Sequence, residues 1–263
     1  MSNPILQVSG LTMDFGGIRA LNKLDLNVHA GEIVALIGPN GAGKTTFFNC
    51  VTGIYTPTAG DVLMTRPGDN KPISLKGLKP NHVTEKGLAR TFQNIRLFSK
   101  MTVLENVMIG RHCRTKAFIL GAVLRTAATR REEREIAEMS YGLLEKVKLA
   151  DLANELAENL SYGAQRRLEI ARALATEPSL LLLDEPAAGM NPHETQELTA
   201  LIREISSDGQ AILLIEHDMK LVMALSDRIY VMDYGKKIAE GNPEQIRTNP
   251  EVIKAYLGED VDA

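Results

Sequence analysis

Leu24, Leu26 and Val28 alternate with Asp25, Asn27 and His29, the period of a strand with one face in a core and the other in water. Glu32–Ile37 follows as an almost continuous apolar run, which predicts a strand buried on both faces. Strand pattern covers most of residues 5–37. A glycine-rich segment, Gly38–Gly43, comes next, and a helix is predicted through Thr45–Val51, stopping near Gly53. Residues 61–85 carry Pro67, Gly68, Pro72, Gly77 and Pro80 and read as loop with short strands. Thr102-Val-Leu-Glu105 predicts a capping box opening a helix. The region 96–160 is mostly helical by pattern. Its clearest member is Arg130–Val147, with Ile136, Met139, Leu143, Leu144 and Val147 at helical spacing.

After Ser161 helices and strands alternate regularly. Helices are predicted near 162–175, 193–206 and 218–225, and the strands that follow them at Leu180–Leu183, Ala211–Ile215 and Arg228–Met232. Such repeats imply an α/β fold with a mostly parallel sheet covered by helices. Asn242-Pro243 and Asn249-Pro250 each open a short C-terminal helix. The helical middle is best placed as an insertion, residues 94–165, within a single domain spanning 1–263 whose core is 1–93 plus 166–263.

Length and composition narrow the function classes. A chain of 263 residues buries about three quarters of its unfolded surface. Its 44% hydrophobic and 24% charged residues argue against a disordered or fibrous chain. Lys and Arg number 30 against 33 Asp and Glu, so the basic footprint of a nucleic-acid binder is missing. No stretch approaches the ~18 apolar residues of a membrane span. Met1–Pro4, followed by Ile5, lacks the basic and apolar regions of a secretory signal, and two cysteines, Cys50 and Cys113, make no disulfide framework. A protein inside the cell is expected.

Gly38-Pro39-Asn40-Gly41-Ala42-Gly43-Lys44-Thr45 fits the pattern G-x-x-x-x-G-K-[ST], between an apolar strand and a helix. Glycines let backbone N–H groups turn inward around a triphosphate, and the helix N-terminus adds favourable partial charge. Lys44 is expected to reach the β- and γ-phosphates and Thr45 to place its hydroxyl on Mg²⁺, with Thr46 completing the cradle. Leu180–Leu183 then ends in Asp184-Glu185. An acid at the C-terminal end of a parallel strand beside such a loop holds Mg²⁺. Asp184 is the expected metal residue, and Glu185 is placed to orient and polarise an attacking water. ATP and Mg²⁺ are therefore the expected ligands.

The chain resembles the ATP-binding cassette (ABC) ATPases, P-loop NTPases with an N-terminal antiparallel β subdomain and an inserted helical subdomain. Leu160-Ser161-Tyr162-Gly163-Ala164-Gln165 resembles their signature motif, Gln93 in Arg90-Thr-Phe-Gln93 their Q-loop, and His217 in Glu216-His217-Asp218 their switch histidine. All stand in the family's order along essentially the whole chain. The resemblance implies that Ser161 and Gly163 face the γ-phosphate held by a partner subunit. It implies that Gln93 senses Mg²⁺ and water, and that His217 contacts the γ-phosphate. Phe15, 23 residues before Gly38, stands where the family stacks an aromatic on adenine; burial in a strand is the competing reading. Tyr162, Ala164 and Asn191 depart from the commonest forms.

Arg90–Phe98, Leu160–Arg172, Asp184–Pro192 and Ile215–Val222 are similar to the LivG-type ATPase subunits of bacterial branched-chain amino acid importers. That likeness implies import of Leu, Ile and Val. It also implies a second, related ATPase subunit, two transmembrane permease subunits, a periplasmic binding protein, and a place on the cytoplasmic face of the inner membrane. Other ABC transporters, such as a lipid or lipopolysaccharide exporter or a urea importer, share every catalytic residue. A nucleic-acid repair ATPase is disfavoured by the absence of long heptads and zinc modules. Gln93–Val103, with Phe98 and Met101, is the expected docking surface for a permease, against burial inside the helical subdomain. The basic run Arg111–Arg134 either faces anionic headgroups or is a solvated face.

Overall fold

In the computed structural model, residues 3–69, 71–115 and 127–257 are described. Two sheets form the frame. The smaller is antiparallel, in the order β2 (Ile18–Val28), β1 (Leu6–Phe15), β4 (Ala59–Met64), β5 (Ile73–Ser74). The larger has six strands: β10 (Lys236–Gly241), β9 (Arg228–Asp233), β3 (Ile33–Ile37), β8 (Ala211–Ile215), β7 (Leu180–Asp184) and β6 (Leu88–Arg90). From β9 to β6 all pairings are parallel; only β10 runs the other way.

The central strands are buried on both faces, which is why they read as apolar runs. Their side chains sort by parity into two cores. Val34, Leu36, Leu180, Leu182, Leu213 and Ile215 face the small sheet together with Phe47 and Phe48 of helix α1 (Lys44–Val51). Ala35, Ile37, Leu181, Leu183, Ile212 and Leu214 face the opposite way. They pack in one core with Leu168 of the helix Tyr162–Leu174, Leu198 and Ile202 of Pro192–Ser207, and Val222 of Met219–Leu225. The helical unit (Val103–Arg111 and Ala127–Lys146) joins that second core through Val103, Val107 and Leu144. The Thr102 capping box forms as expected: Glu105 N–H donates to Thr102 Oγ1 at 3.2 Å, and Thr102 N–H to Glu105 Oε2 at 2.8 Å.

Three local expectations are corrected. Residues 80–85 form a helix with Pro80 at its first position, where the missing N–H costs nothing and φ is preset. The strand β10 escaped the period-2 reading. It is set by a two-residue hairpin turn, Tyr234-Gly235, with φ of +41 and +76, the mirror-image turn that matches strand twist. On Ala127–Lys146, Met139 is exposed and Ser140 is fully buried in its place. Leu144 and Val147 are buried, Leu143 packs against the core and Ile136 is half-buried, so the predicted face holds and fails only at Met139.

Candidate active site

Four adjacent parallel strands, β3, β8, β7 and β6, bring their C-terminal ends to one edge of the sheet. The glycine loop leaves β3, His217 follows β8, Asp184 and Glu185 end β7, and Arg90 and Gln93 leave β6. Ligands of open α/β sheets bind at such an edge.

The loop after β3 needs glycine for steric reasons. A Cβ on Gly38 (φ +153) would lie 2.1 Å from the Met232 carbonyl oxygen, and one on Gly43 (φ +102) 2.7 Å from that of Ala20. No side chain caps α1 at Gly43, so its first N–H groups face the loop beside the positive helix end. Lys44 Nζ donates to the carbonyls of Gly38 at 2.6 Å and Pro39 at 2.9 Å. Burial pushes the Lys44 ammonium below the usual lysine range, opposed by the Glu185 carboxylate. A cradle of backbone donors with a half-buried cation suits a polyphosphate. Thr45 and Thr46 lie in the first turn of α1, with Thr45 exposed.

Asp184 Oδ2 accepts from Arg90 Nη2 at 2.7 Å, both side chains being almost wholly buried. The other arm of Arg90 donates to Asn49 Oδ1 at 2.8 Å, and its plane lies over the rings of Phe48 and Phe92. Glu185 adopts φ +46, a conformation that costs a non-glycine residue on the order of 1–3 kcal/mol. Its N–H still closes the ladder on the Ile215 carbonyl at 2.9 Å. Gln93 Nε2 donates to Glu185 Oε2 at 2.7 Å, and His217 Nδ1 lies 3.6 Å from the same oxygen. One carboxylate oxygen thus gathers the residues singled out at the ends of three strands.

Phe15 is exposed and meets Tyr55 edge-on at 5.3 Å, so it is not a core residue. Ser161 caps its own helix, accepting from Ala164 N–H at 3.4 Å. Gly163 is buried, and a Cβ there would stand 2.8 Å from Glu194 Oε1. Asn191 spends its side chain capping the following helix, accepting from Glu194 N–H at 3.0 Å. Tyr162 lies against Gly189 of the same loop, close enough that a Cβ there would be 3.6 Å from its ring.

The geometry joins a match to known proteins. A family model described as "ABC transporter" matches residues 21–188. The chain belongs to the ABC transporter family. A second model, "Branched-chain amino acid ATP-binding cassette transporter", matches residues 236–262. The high-affinity branched-chain amino acid transport ATP-binding protein LivG of Escherichia coli K12 is 51% identical over 98% of this chain and 100% of its own. A solved ATP-binding cassette of an ABC transporter in its ADP conformation superposes with a TM-score of 0.83 at 33% identity, over 98% of this chain and 100% of that one. A dimeric cassette in a post-hydrolysis state, bound to ADP and Pi, gives 0.73 at 26% identity, over 90% of this chain and 98% of that one.

Two features of this ABC cassette were not legible in the motifs. Glu216, buried beside His217, accepts from the N–H groups of Ala187 at 2.9 Å and His217 at 3.2 Å. Burial pushes its carboxyl above the usual range, the two backbone donors opposing. Its only signal in the sequence is a charge closing an apolar strand. Arg166 and Glu169, one turn apart on Tyr162–Leu174, are also buried, and they bond to each other at 2.7 Å and to the backbone around Gln93. Beside them lies a groove of about 380 Å³ lined by Ala89, Arg96, Phe98, Ile109, Glu169 and Arg172. Phe98 is half exposed there, under the Arg172 guanidinium. In the basic run 111–134, residues 116–126 lie outside the described residues. Arg111 pairs with Glu177 at 2.9 Å and Arg114 donates to the Thr176 carbonyl at 2.8 Å, so these two cations are tied to the protein itself.

Proposed function

We infer that the chain is the ATP-binding and ATP-hydrolysing subunit that energises import of the branched-chain amino acids Leu, Ile and Val. The observation that carries this is end-to-end identity of 51% with a subunit of that transport system. The phosphate loop, acidic pair and histidine meeting at the sheet edge supply the chemistry that such a subunit needs.

Gly38–Gly43, Lys44, Thr45 and Thr46 hold the triphosphate, and Phe15 stacks on adenine. Thr45, Gln93 and Asp184 offer a hydroxyl, an amide oxygen and a carboxylate, the hard oxygen donors that Mg²⁺ prefers. Gln93 engages Glu185 through its nitrogen, which leaves the amide oxygen for the cation. A Mg²⁺ ion held by these residues would supply charge neutralisation to the phosphates during transfer. Glu185 orients and polarises the attacking water, Gln93 and His217 fix that carboxylate, and His217 contacts the γ-phosphate. Ser161 and Gly163 present the opposite helix N-terminus to the nucleotide held by a second, related ATPase subunit. ATP thereby favours the closed dimer, and loss of the γ-phosphate reopens it.

The division into a core (1–93 and 166–263) and a helical insertion (94–165) gives the transporter its lever. The partners are two transmembrane permease subunits and, through them, a periplasmic binding protein, with this subunit on the cytoplasmic face of the inner membrane. Among the described residues no helix is long and apolar enough to cross a membrane, so the spans are supplied by the permeases. The groove at Phe98 receives a permease segment. Phe98→Asp is expected to leave ATP binding unchanged, since the ring is half exposed, but to abolish co-purification with the membrane subunits. Full co-purification of the variant would move the docking site elsewhere.

A further inference from the structure

We propose that Arg166 and Glu169 are positioning residues for hydrolysis, a buried ionic clamp on the signature helix that holds the chain carrying Gln93. The proposal rests on the reading of Gln93 and Glu185 given above.

After Arg90 the chain leaves the sheet. Its last ladder bond is Thr91 N–H to the Leu182 carbonyl at 2.9 Å, and no described helix or strand covers residues 92–99. The clamp replaces the ladder there. Arg166 Nη1 donates to the Phe92 carbonyl at 2.6 Å and Nη2 to the Gln93 carbonyl at 2.8 Å. Glu169 Oε1 accepts from the N–H groups of Phe92 at 3.3 Å and Arg96 at 3.4 Å. The two ends of the Phe92 residue and the carbonyl of Gln93 are therefore all fixed by one helix. The two side chains are 0% and 2% exposed and close on each other at 2.7 Å.

Such a pair is a poor source of stability, because desolvating two charges offsets most of their attraction, and apolar replacements of similar volume are often neutral or better. Its directional bonds do something an apolar pair cannot. They set the height and rotation of the peptide that carries Gln93, whose amide must reach Glu185 at 2.7 Å. The helix that makes the clamp begins at Ser161, the residue assigned to the partner's nucleotide, so clamp and signature move as one body.

The test compares Glu169→Gln and the apolar double variant Arg166→Met/Glu169→Leu, each in the full chain and again with Gln93→Ala. The readouts are kcat, KM for ATP and thermal melting. The double variant is expected to melt at or above the wild-type temperature, to keep KM within about twofold, and to lose roughly 10- to 100-fold in kcat. Glu169→Gln is expected to lose less, since it keeps one acceptor. With Gln93→Ala already present, neither change is expected to lower kcat further. A fully additive loss in that background, or wild-type kcat in the folded double variant, overturns the clamp while leaving the Gln93 reading intact. Wild-type turnover of Gln93→Ala alone overturns that reading and the clamp with it.

Discussion

Glu185→Gln is expected to bind ATP with wild-type affinity, to accumulate as a closed dimer, and to lose roughly 10²–10⁴-fold in turnover. The size follows from what the substitution removes. The amide keeps the length of the side chain but replaces one carboxylate oxygen with an N–H₂ group and abolishes the charge. Gln93 Nε2 donates to Oε2 of Glu185 at 2.7 Å and His217 Nδ1 stands 3.6 Å from the same oxygen, so the substitution changes the one oxygen on which both neighbours converge. Its backbone at φ +46 is bonded to the sheet through the Glu185 N–H and the Ile215 carbonyl at 2.9 Å, a bond that the substitution keeps. The measurement is single-turnover hydrolysis beside equilibrium nucleotide binding. Turnover within about threefold of wild type would remove Glu185 from the role of polarising the attacking water.

Lys44→Ala is expected to act earlier, on binding. The ammonium sits at the mouth of the glycine loop, bonded to the Gly38 and Pro39 carbonyls and depressed in pKa by its burial. The charge-assisted contact with phosphate proposed for it would contribute about 1.5–3 kcal/mol, so ATP affinity is expected to fall roughly 10- to 150-fold. The same variant distinguishes the two halves of the shared site. Nucleotide binding at this cradle is expected to survive replacement of Ser161, the residue proposed above to serve the partner's nucleotide. If Lys44→Ala in this subunit and the serine substitution in its partner left their common site fully active, the sandwich arrangement would be wrong.

What was readable in advance, and what was not, follows from the range of the interactions. The loop from Gly38 to Thr45, the run Leu180–Glu185 and the capping box at Thr102 are local patterns, each dictated by one turn or one strand, and they stand where the pattern placed them. The β10 strand was lost because its hairpin depends on a single Tyr-Gly turn. Arg166 and Glu169 look like an ordinary i, i+3 pair on a solvated helix face. They are buried because the Tyr162–Leu174 helix is covered nearly all round, and their partners lie more than 70 residues away in sequence. Arg90 hides its tie to Asp184 for the same reason, across 94 residues. Charge at a buried position cannot be told from charge at the surface until the packing is known.

The central claim, that this subunit couples ATP hydrolysis to import of branched-chain amino acids, is tested most directly by transport. The chain is reconstituted with the permease subunits and binding protein proposed as its partners in proteoliposomes holding Mg-ATP on the side of this subunit, and entry of labelled leucine is followed. The expected result is leucine accumulation that stops with Glu185→Gln and is competed by isoleucine and valine. Leucine entry that ignores ATP and the Glu185 substitution would contradict the account, as would an assembly whose hydrolysis drives movement of another solute alone.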